Sequence, residues 1–416
     1  RDGKALYNMI CSFDIRGIEE NSFINKKMGI KKLYDITGLP PSNMYGLNRI
    51  LWFKNSKPET YKKAYKFVPW DAYIFYNLGF DCISEYSVCS RTLAFDINNK
   101  KWSELILNKA DVPLTLFPEC QPSGSVIGAM PKKLQEELGF KKKVNAVTGG
   151  FDQICAALGS GVIKEGMASV GSGTVECMQV LVPEPLTTDK MLKGSYPFSN
   201  HILEGYYICL AINFGAGSIL KWFRDNLALE EKMQASRRKI DIFKLFDEKA
   251  CRSESPLFVY PYFEGAQTPL NDPYAKGIMM GFTLATKKED IIRGILEGIT
   301  LELKLNIHEL EKNGIKIDSL NASGGGSKSD FWLQLKADIT GKPIRSLNVN
   351  EAGCLATSVI AGYGIGKYRR IEDAISSIVK FKEEYYPDRK KFEYYENRFR
   401  IYEKIFPLIS RFMKEI

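Results

Sequence analysis

Three glycine-rich turns constrain the fold of this chain more than any other feature: GSGT at 171–174, GAGS at 215–218 and GGGSKS at 324–329. Each closes a run with strand character, and the last two lead directly into helical patterns. Glycine reaches the conformations that a sharp strand-to-helix bend demands. Such a bend exposes backbone N–H groups beside the positive end of a helix dipole, which suits phosphate. Spacing alone leaves the three equally readable as unrelated structural turns. None is a Walker A loop, because GGGSKS lacks the Gly-Lys-Ser ending.

The surrounding pattern is regular. Met167 to Val182 reads as two strands joined by the Gly-Ser-Gly turn, and a strand at 206–211 precedes a helix carrying Trp222. Further on, the spacing predicts a helix over 288–313, a strand over 317–322 and a helix over 329–340 that Gly341 ends at its C′ position. A strand over 343–347 and a small-residue helix through EAGCLATSVIAG follow. Strands alternating with helices and hairpins make an α/β fold with mixed sheets. Residues 1 to about 143 mix helical patterns with loops, including a helix entered through Pro69. The tail from 380 to 416 sets Tyr and Phe at helical spacing among basic residues, as in a helix that docks an aromatic face on the body.

At 416 residues the chain outgrows a single core, so two domains with a cleft between them are expected. Nine scattered cysteines with no C-x-x-C pair argue against a disulfide framework or a zinc site. His201 and His308 are the only imidazoles, which leaves little material for Ser-His-Asp or multi-histidine metal chemistry. His308 lies in the charged stretch LELKLNIHELEKNG and is expected at the surface. The net charge of +9 is interleaved with 49 acidic residues and has no arginine-rich arm, so nucleic acid is not the expected partner. No apolar run is long enough for a bilayer and no signal-peptide pattern opens the chain, so a cytoplasmic location without a membrane partner is expected. The start, RDGKAL without methionine, reads as a fragment or trimmed product.

The segment TGGFDQICAALG (148–159) puts two glycines and Asp152 ahead of a short apolar run. Asp152 can cap the helix that follows, do chemistry, or both.

In order and together, TGGFDQICAALGSGV, MASVGSGTVECM, NFGAGSILKWFRD, YFEGAQTPLNDPYAKGIMMGFTLATKKEDIIRGILEGITLEL, NASGGGSKSDFWLQLKADITGKPI and EAGCLATSVIAGYGIG resemble the FGGY carbohydrate kinases. These are ATP-dependent kinases of glycerol, pentuloses and related sugars, and the resemblance runs from about Asp14 to about Tyr386. It implies two actin-like domains, each on a ribonuclease-H-like mixed sheet, with ATP and sugar in the cleft. Asp152 is then the catalytic base and Gln153 its neighbour on the sugar. Gly171, Ser172, Gly173 and Thr174 fall near the β- and γ-phosphates, Gly217 approaches the phosphates, and Gly325, Gly326 and Ser329 line the adenosine pocket. Asp14 and Arg16 resemble the family's W-x-D-x-R segment on the sugar side, although Phe13 departs from it.

The family's opening D-x-G-T-T hairpin, which supplies an aspartate for magnesium, has no counterpart here. The first domain is therefore expected to be incomplete, and no residue is implied as a metal ligand. The implied division is 1–165 for the sugar side and the base, 166–366 for the nucleotide side, and 367–416 for a helical tail. The resemblance implies ATP and Mg2+ as cofactors and a small sugar as partner, and allows a homodimer. GGFD followed by GSGTVE is closer to the pentulose-type members and favours a ketopentose such as xylulose. The alternative, a non-catalytic or regulatory nucleotide- or sugar-binding protein, follows from the absent segment. General-base help on the acceptor hydroxyl is worth about 10² to 10⁴ in rate, and a loose phosphoryl transfer makes a weak base sufficient.

Overall fold

The computed structural model describes residues 3–11, 14–349 and 351–415, so Phe13 lies outside the described residues. Ahead of residue 166 the strands are short and paired. Strand β1 (Ile83–Glu85) runs parallel to β2 (Glu119–Gln121). Strand β3 (Val126–Ala129) lies antiparallel to β4 (Asn145–Val147), whose chain continues through Gly149 and Gly150 into α1 (Asp152–Gly159). Helices Ile18–Met28, Ile30–Thr37 and Gly46–Ser56 enclose Ile24, Leu33, Tyr34, Leu47 and Phe95, all nearly or fully buried.

The larger sheet has seven strands: β5 (Gly166–Ser172), β6 (Glu176–Val182), β7 (Phe198–Asn200), β8 (Tyr207–Asn213), β9 (Ile317–Ser323), β10 (Ile344–Leu347) and β11 (Phe381–Tyr385). Their order across the sheet is β11-β10-β9-β5-β6-β8-β7. The central pairs β5/β9 and β9/β10 are parallel and the others antiparallel, which is the mixed sheet expected. Every residue of β6, ECMQVLV, is buried because helices cover both faces. The faces alternate with period two. Met178 and Val180 meet α3 (Lys288–Lys312) and α4 (Asp330–Thr340) through Leu303, Ile307, Leu333 and Ala337. Cys177 and Leu181 meet α1 and α5 (Ala352–Gly364) through Ile154, Leu158, Ala356 and Val359. Helix α2 (Gly217–Leu227) leaves β8 through the GAGS turn.

Residues 367–416, expected as a helical tail, divide. Helix Ile371–Ile378 joins the α1/α5 core, and β11 is an edge strand of the large sheet. Only α6 (Arg389–Ile409) behaves as foreseen, burying Tyr395, Phe399, Tyr402 and Phe406, with Tyr402 stacked on Tyr260 at 4.3 Å. His308 is half-buried rather than on the surface, its ring edge-on to Phe399 at 5.5 Å. The reason is that α3 is covered by the sheet and by α6, so even its charged residues find partners inside. Glu302 accepts hydrogen bonds from the Tyr262 and Tyr402 hydroxyls at 2.7 and 3.0 Å. Among the described residues no helix is long and apolar enough to cross a membrane.

Candidate active site

The glycine turn after β4 is held from outside its own strand and helix. The Phe151 N–H donates to Ser87 Oγ at 2.8 Å, and Ser87 Oγ in turn donates to the Glu85 carboxylate. Glu85 also accepts from Ser87 N at 2.8 Å, Val88 N at 3.3 Å and Ser123 Oγ at 2.8 Å. Its burial pushes its carboxyl up to about 7, against the pull of the hydrogen bonds from Ser87 and Ser123. Arg91 lies over the Phe151 ring at 5.5 Å. Sequence reasoning missed Glu85 and Ser87. The one signal they carried was a carboxylate closing a short strand two residues before a serine.

This anchoring shifts the helix start. Phe151 occupies the N-cap position with extended backbone angles and no capping side chain, and Asp152 is the first helical residue. Capping by Asp152 is therefore corrected. Its Oδ1 accepts the adjacent Gln153 N–H at 2.7 Å, one of the amides a helix leaves open at its start, and the side chain is otherwise exposed. Gln153, expected on the sugar, presents its carbonyl to the large sheet. Gln179 Nε2 donates to Gln153 Oε1 at 2.6 Å, and Ser169 Oγ donates to Gln179 Oε1 at 2.6 Å. That chain ties the Asp152 turn to β5 and β6. Gln179 stands three extended residues from Glu176, where the glycine hairpin ends, or about 10 Å along the strand.

Asp14 and Arg16 engage each other. Arg16 donates to Asp14 through its backbone N and Nε, both at 2.8 Å, and through its terminal guanidinium nitrogen. The bonded Arg16 holds the Asp14 carboxyl well below the usual carboxylate range. Arg49 at 2.5 Å and Asn43 at 3.2 Å donate to the Asp14 carbonyl, and Arg16 lies over Trp52 at 4.9 Å. Among the described residues no hydrogen bond or ion pair joins this group to Asp152 or Gln153.

The three glycine turns converge. Gly173, Thr174 and Val175 form the exposed tip of the β5/β6 hairpin. Gly217 N donates to Gly173 O and Ser218 N to Thr174 O, each at 3.0 Å. The approach is so close that a Cβ on Gly217 would lie 2.4 Å from Gly173 O. The first amides of α2 are thus taken up by the hairpin, and Gly217 supports the tip instead of offering a free N–H. Lys221, one turn along α2, reaches Thr174 Oγ1 at 3.3 Å and adds an exposed cation that the sequence reading passed over. From the other side the Gly324–Gly326 turn rests on Ser172. Ser329 caps α4, accepting from Trp332 N at 3.0 Å. It also faces Asp247, whose carboxyl burial pushes up to about 6.

Exposed backbone at a hairpin tip, glycine turns on both flanks and a lysine fit a chain of phosphates. Among the described residues no group of three or more His, Cys, Asp or Glu side chains is placed to hold a metal ion. Magnesium usually keeps several waters and rests on nucleotide phosphate oxygens with one or two carboxylates.

Comparisons with known proteins address the family and the fold. Models of the N-terminal and C-terminal domains of the FGGY family of carbohydrate kinases match residues 1–159 and 168–365. A xylulose kinase of Staphylococcus xylosus is 26% identical over 406 residues, covering 98% of this chain and 82% of that one. Among solved structures, ligand-bound xylulose kinase from Lactobacillus acidophilus superposes with a TM-score of 0.88 at 22% identity, covering 98% of this chain and 81% of that one. Plasmodium falciparum glycerol kinase with ADP gives 0.84 at 20% identity, covering 97% and 79%. Both structural likenesses speak for the fold.

Proposed function

Because this chain belongs to the FGGY family of carbohydrate kinases, we propose that it transfers a phosphoryl group from ATP to a hydroxyl of a ketopentose such as xylulose. Its class, a phosphotransferase with an alcohol group as acceptor, comes with the family. The ketopentose is the finer step, supported by the 26% identity to a xylulose kinase. Nothing in the comparisons favours the non-catalytic reading.

One observation carries the mechanism: an exposed carboxylate on a glycine turn is tied through Gln153 and Gln179 to the sheet whose hairpin gathers the three phosphate-type turns. ATP supplies the phosphoryl group when bound. Asp152 accepts the proton of the sugar hydroxyl as the new bond forms. The Glu85–Ser87 pair holds the Phe151 amide, and with it the direction in which Asp152 points. The hairpin tip, Lys221 and the Gly325–Gly326 turn take the phosphates, and Ser329 stands at the nucleoside end. Residues up to about 165 serve the sugar side and 166–366 the nucleotide side. Magnesium fits this reading as a companion of the phosphates, with no step assigned to it.

Coupled ADP release across ketopentoses, aldoses, polyols and gluconate tests the reading. Xylulose or ribulose is expected to give the highest kcat/KM. A panel in which no sugar raises turnover above the basal ATPase rate refutes it.

A further inference from the structure

We propose that Lys336 and Glu176 form a buried charge clamp on Ser172 that presets the phosphate hairpin and thereby determines nucleotide affinity, a role that rests on the kinase reading of this site. Ser172 closes β5 and Glu176 opens β6, and the two face each other across the hairpin. Ser172 Oγ donates to Glu176 Oε2 at 2.6 Å and accepts from Lys336 Nζ at 2.8 Å, while Lys336 also pairs directly with Glu176. All three are buried, Lys336 and Glu176 at 2% exposure and Ser172 at 4%.

Stability does not account for the arrangement. A buried ion pair holds a fold no better than apolar residues of the same volume. This one also leaves Glu176 Oε1 buried without a hydrogen-bond partner, a further cost. Two apolar side chains could pack α4 on β6, but they could not grip the Ser172 hydroxyl from two directions and so fix the end of β5.

The grip reaches the neighbouring turn as well. A Cβ on Gly324 would lie 2.8 Å from Ser172 O, and one on Gly326 2.7 Å from Ser172 Cβ. Lys336 sits over the Trp332 ring at 4.5 Å, and the same ring underlies Gly326, 2.8 Å from where its Cβ would be. One set of contacts therefore sets both turns on the nucleotide side. Neither charge has a hydrogen bond to Asp152, Gln153, Asp14 or Arg16 among the described residues.

Lys336→Met alone would strand a buried carboxylate and is expected to unfold the chain. The informative variant is Lys336→Met/Glu176→Val, with Ser172→Ala, which keeps the ion pair, as the second. Both are expected to retain the thermal midpoint of the parent within a few degrees. Calorimetric titration with ADP should show binding about tenfold weaker, the loss of one hydrogen bond to a charged group. The KM for ATP should rise by a similar factor while the KM for sugar stays put. A purely structural role predicts a lower midpoint or equal losses on both substrates, and either overturns the clamp. ADP affinity equal to the parent's in Ser172→Ala overturns it too, even if the double variant does not fold. A parent that binds ADP yet phosphorylates no sugar refutes the proposed function and leaves the clamp to be judged on ADP affinity.

Discussion

Asp152→Asn separates chemistry from architecture because the side chain makes a single hydrogen bond among the described residues. Asp152 Oδ1 accepts the Gln153 N–H at 2.7 Å, and the amide carbonyl of asparagine can take over that bond. What is lost is a negative charge in the first turn of α1, worth about 0.3–1 kcal/mol at an exposed helix start. For a domain of this size that lowers the midpoint by no more than about 4 °C. Loss of a general base costs about 10² to 10⁴ in rate, or about 3–5 kcal/mol of barrier. The catalytic effect thus exceeds the structural one severalfold. Thermal unfolding, ADP titration and coupled ADP release on the same preparation resolve the two. The expected variant is folded, binds ADP like the parent and turns over at least about a hundredfold more slowly. Turnover within twofold of the parent would refute the role of Asp152, whatever its stability.

Gly217→Ala tests the support of the hairpin by α2. Its Cβ would meet Gly173 O at 2.4 Å, so the backbone must shift, at about 1–3 kcal/mol, and ADP affinity should fall with stability; unchanged values of both would refute the contact. Glu302 gives a pH-dependent prediction. Burial between Tyr262 and Tyr402 raises its carboxyl from an ordinary value near 4.5 to about 7. The folded chain then binds the proton more tightly than the unfolded one. The associated stability is complete below about pH 4.5 and is lost as the pH rises through 7, a change of about 3 kcal/mol. Glu302→Gln, which can still accept both tyrosine hydroxyls, should therefore gain on the parent in urea unfolding between pH 5 and about 8; parallel pH profiles would count against the raised value.

Features set by neighbours in sequence were legible, and features set by distant partners were not. The β5/β6 hairpin and the Gly341 stop of α4 follow from glycine placement and apolar runs, and both stand where the pattern put them. The aromatic face of α6 follows from its spacing in the same way. By contrast β11, FKEEY, is a charged edge strand with only intermediate or exposed positions, so it has no apolar alternation to announce it. Its backbone bonds to β10 alone define it.

The start of α1 shows the same division at the scale of one residue. Local preference puts Asp152 at the N-cap, but the Phe151 amide is held by Ser87, 64 residues away, Phe151 takes the N-cap position and the helix begins one residue earlier, at Asp152. The clamp on Ser172 is the extreme case, since Lys336 and Glu176 are 160 residues apart. On a helix such as α4 a lysine reads as solvated, and the cost of burying it is what makes its position informative. Three buried charged residues that escaped sequence reading, Glu85 and Glu176 with its partner Lys336, sit beneath glycine turns that the sequence did reveal. A glycine turn exposes backbone to a ligand and cannot hold its own shape with side chains, so the groups that fix it must come from below and from elsewhere in the chain. Buried charge under a glycine turn is therefore the place to look for the residues that set its geometry.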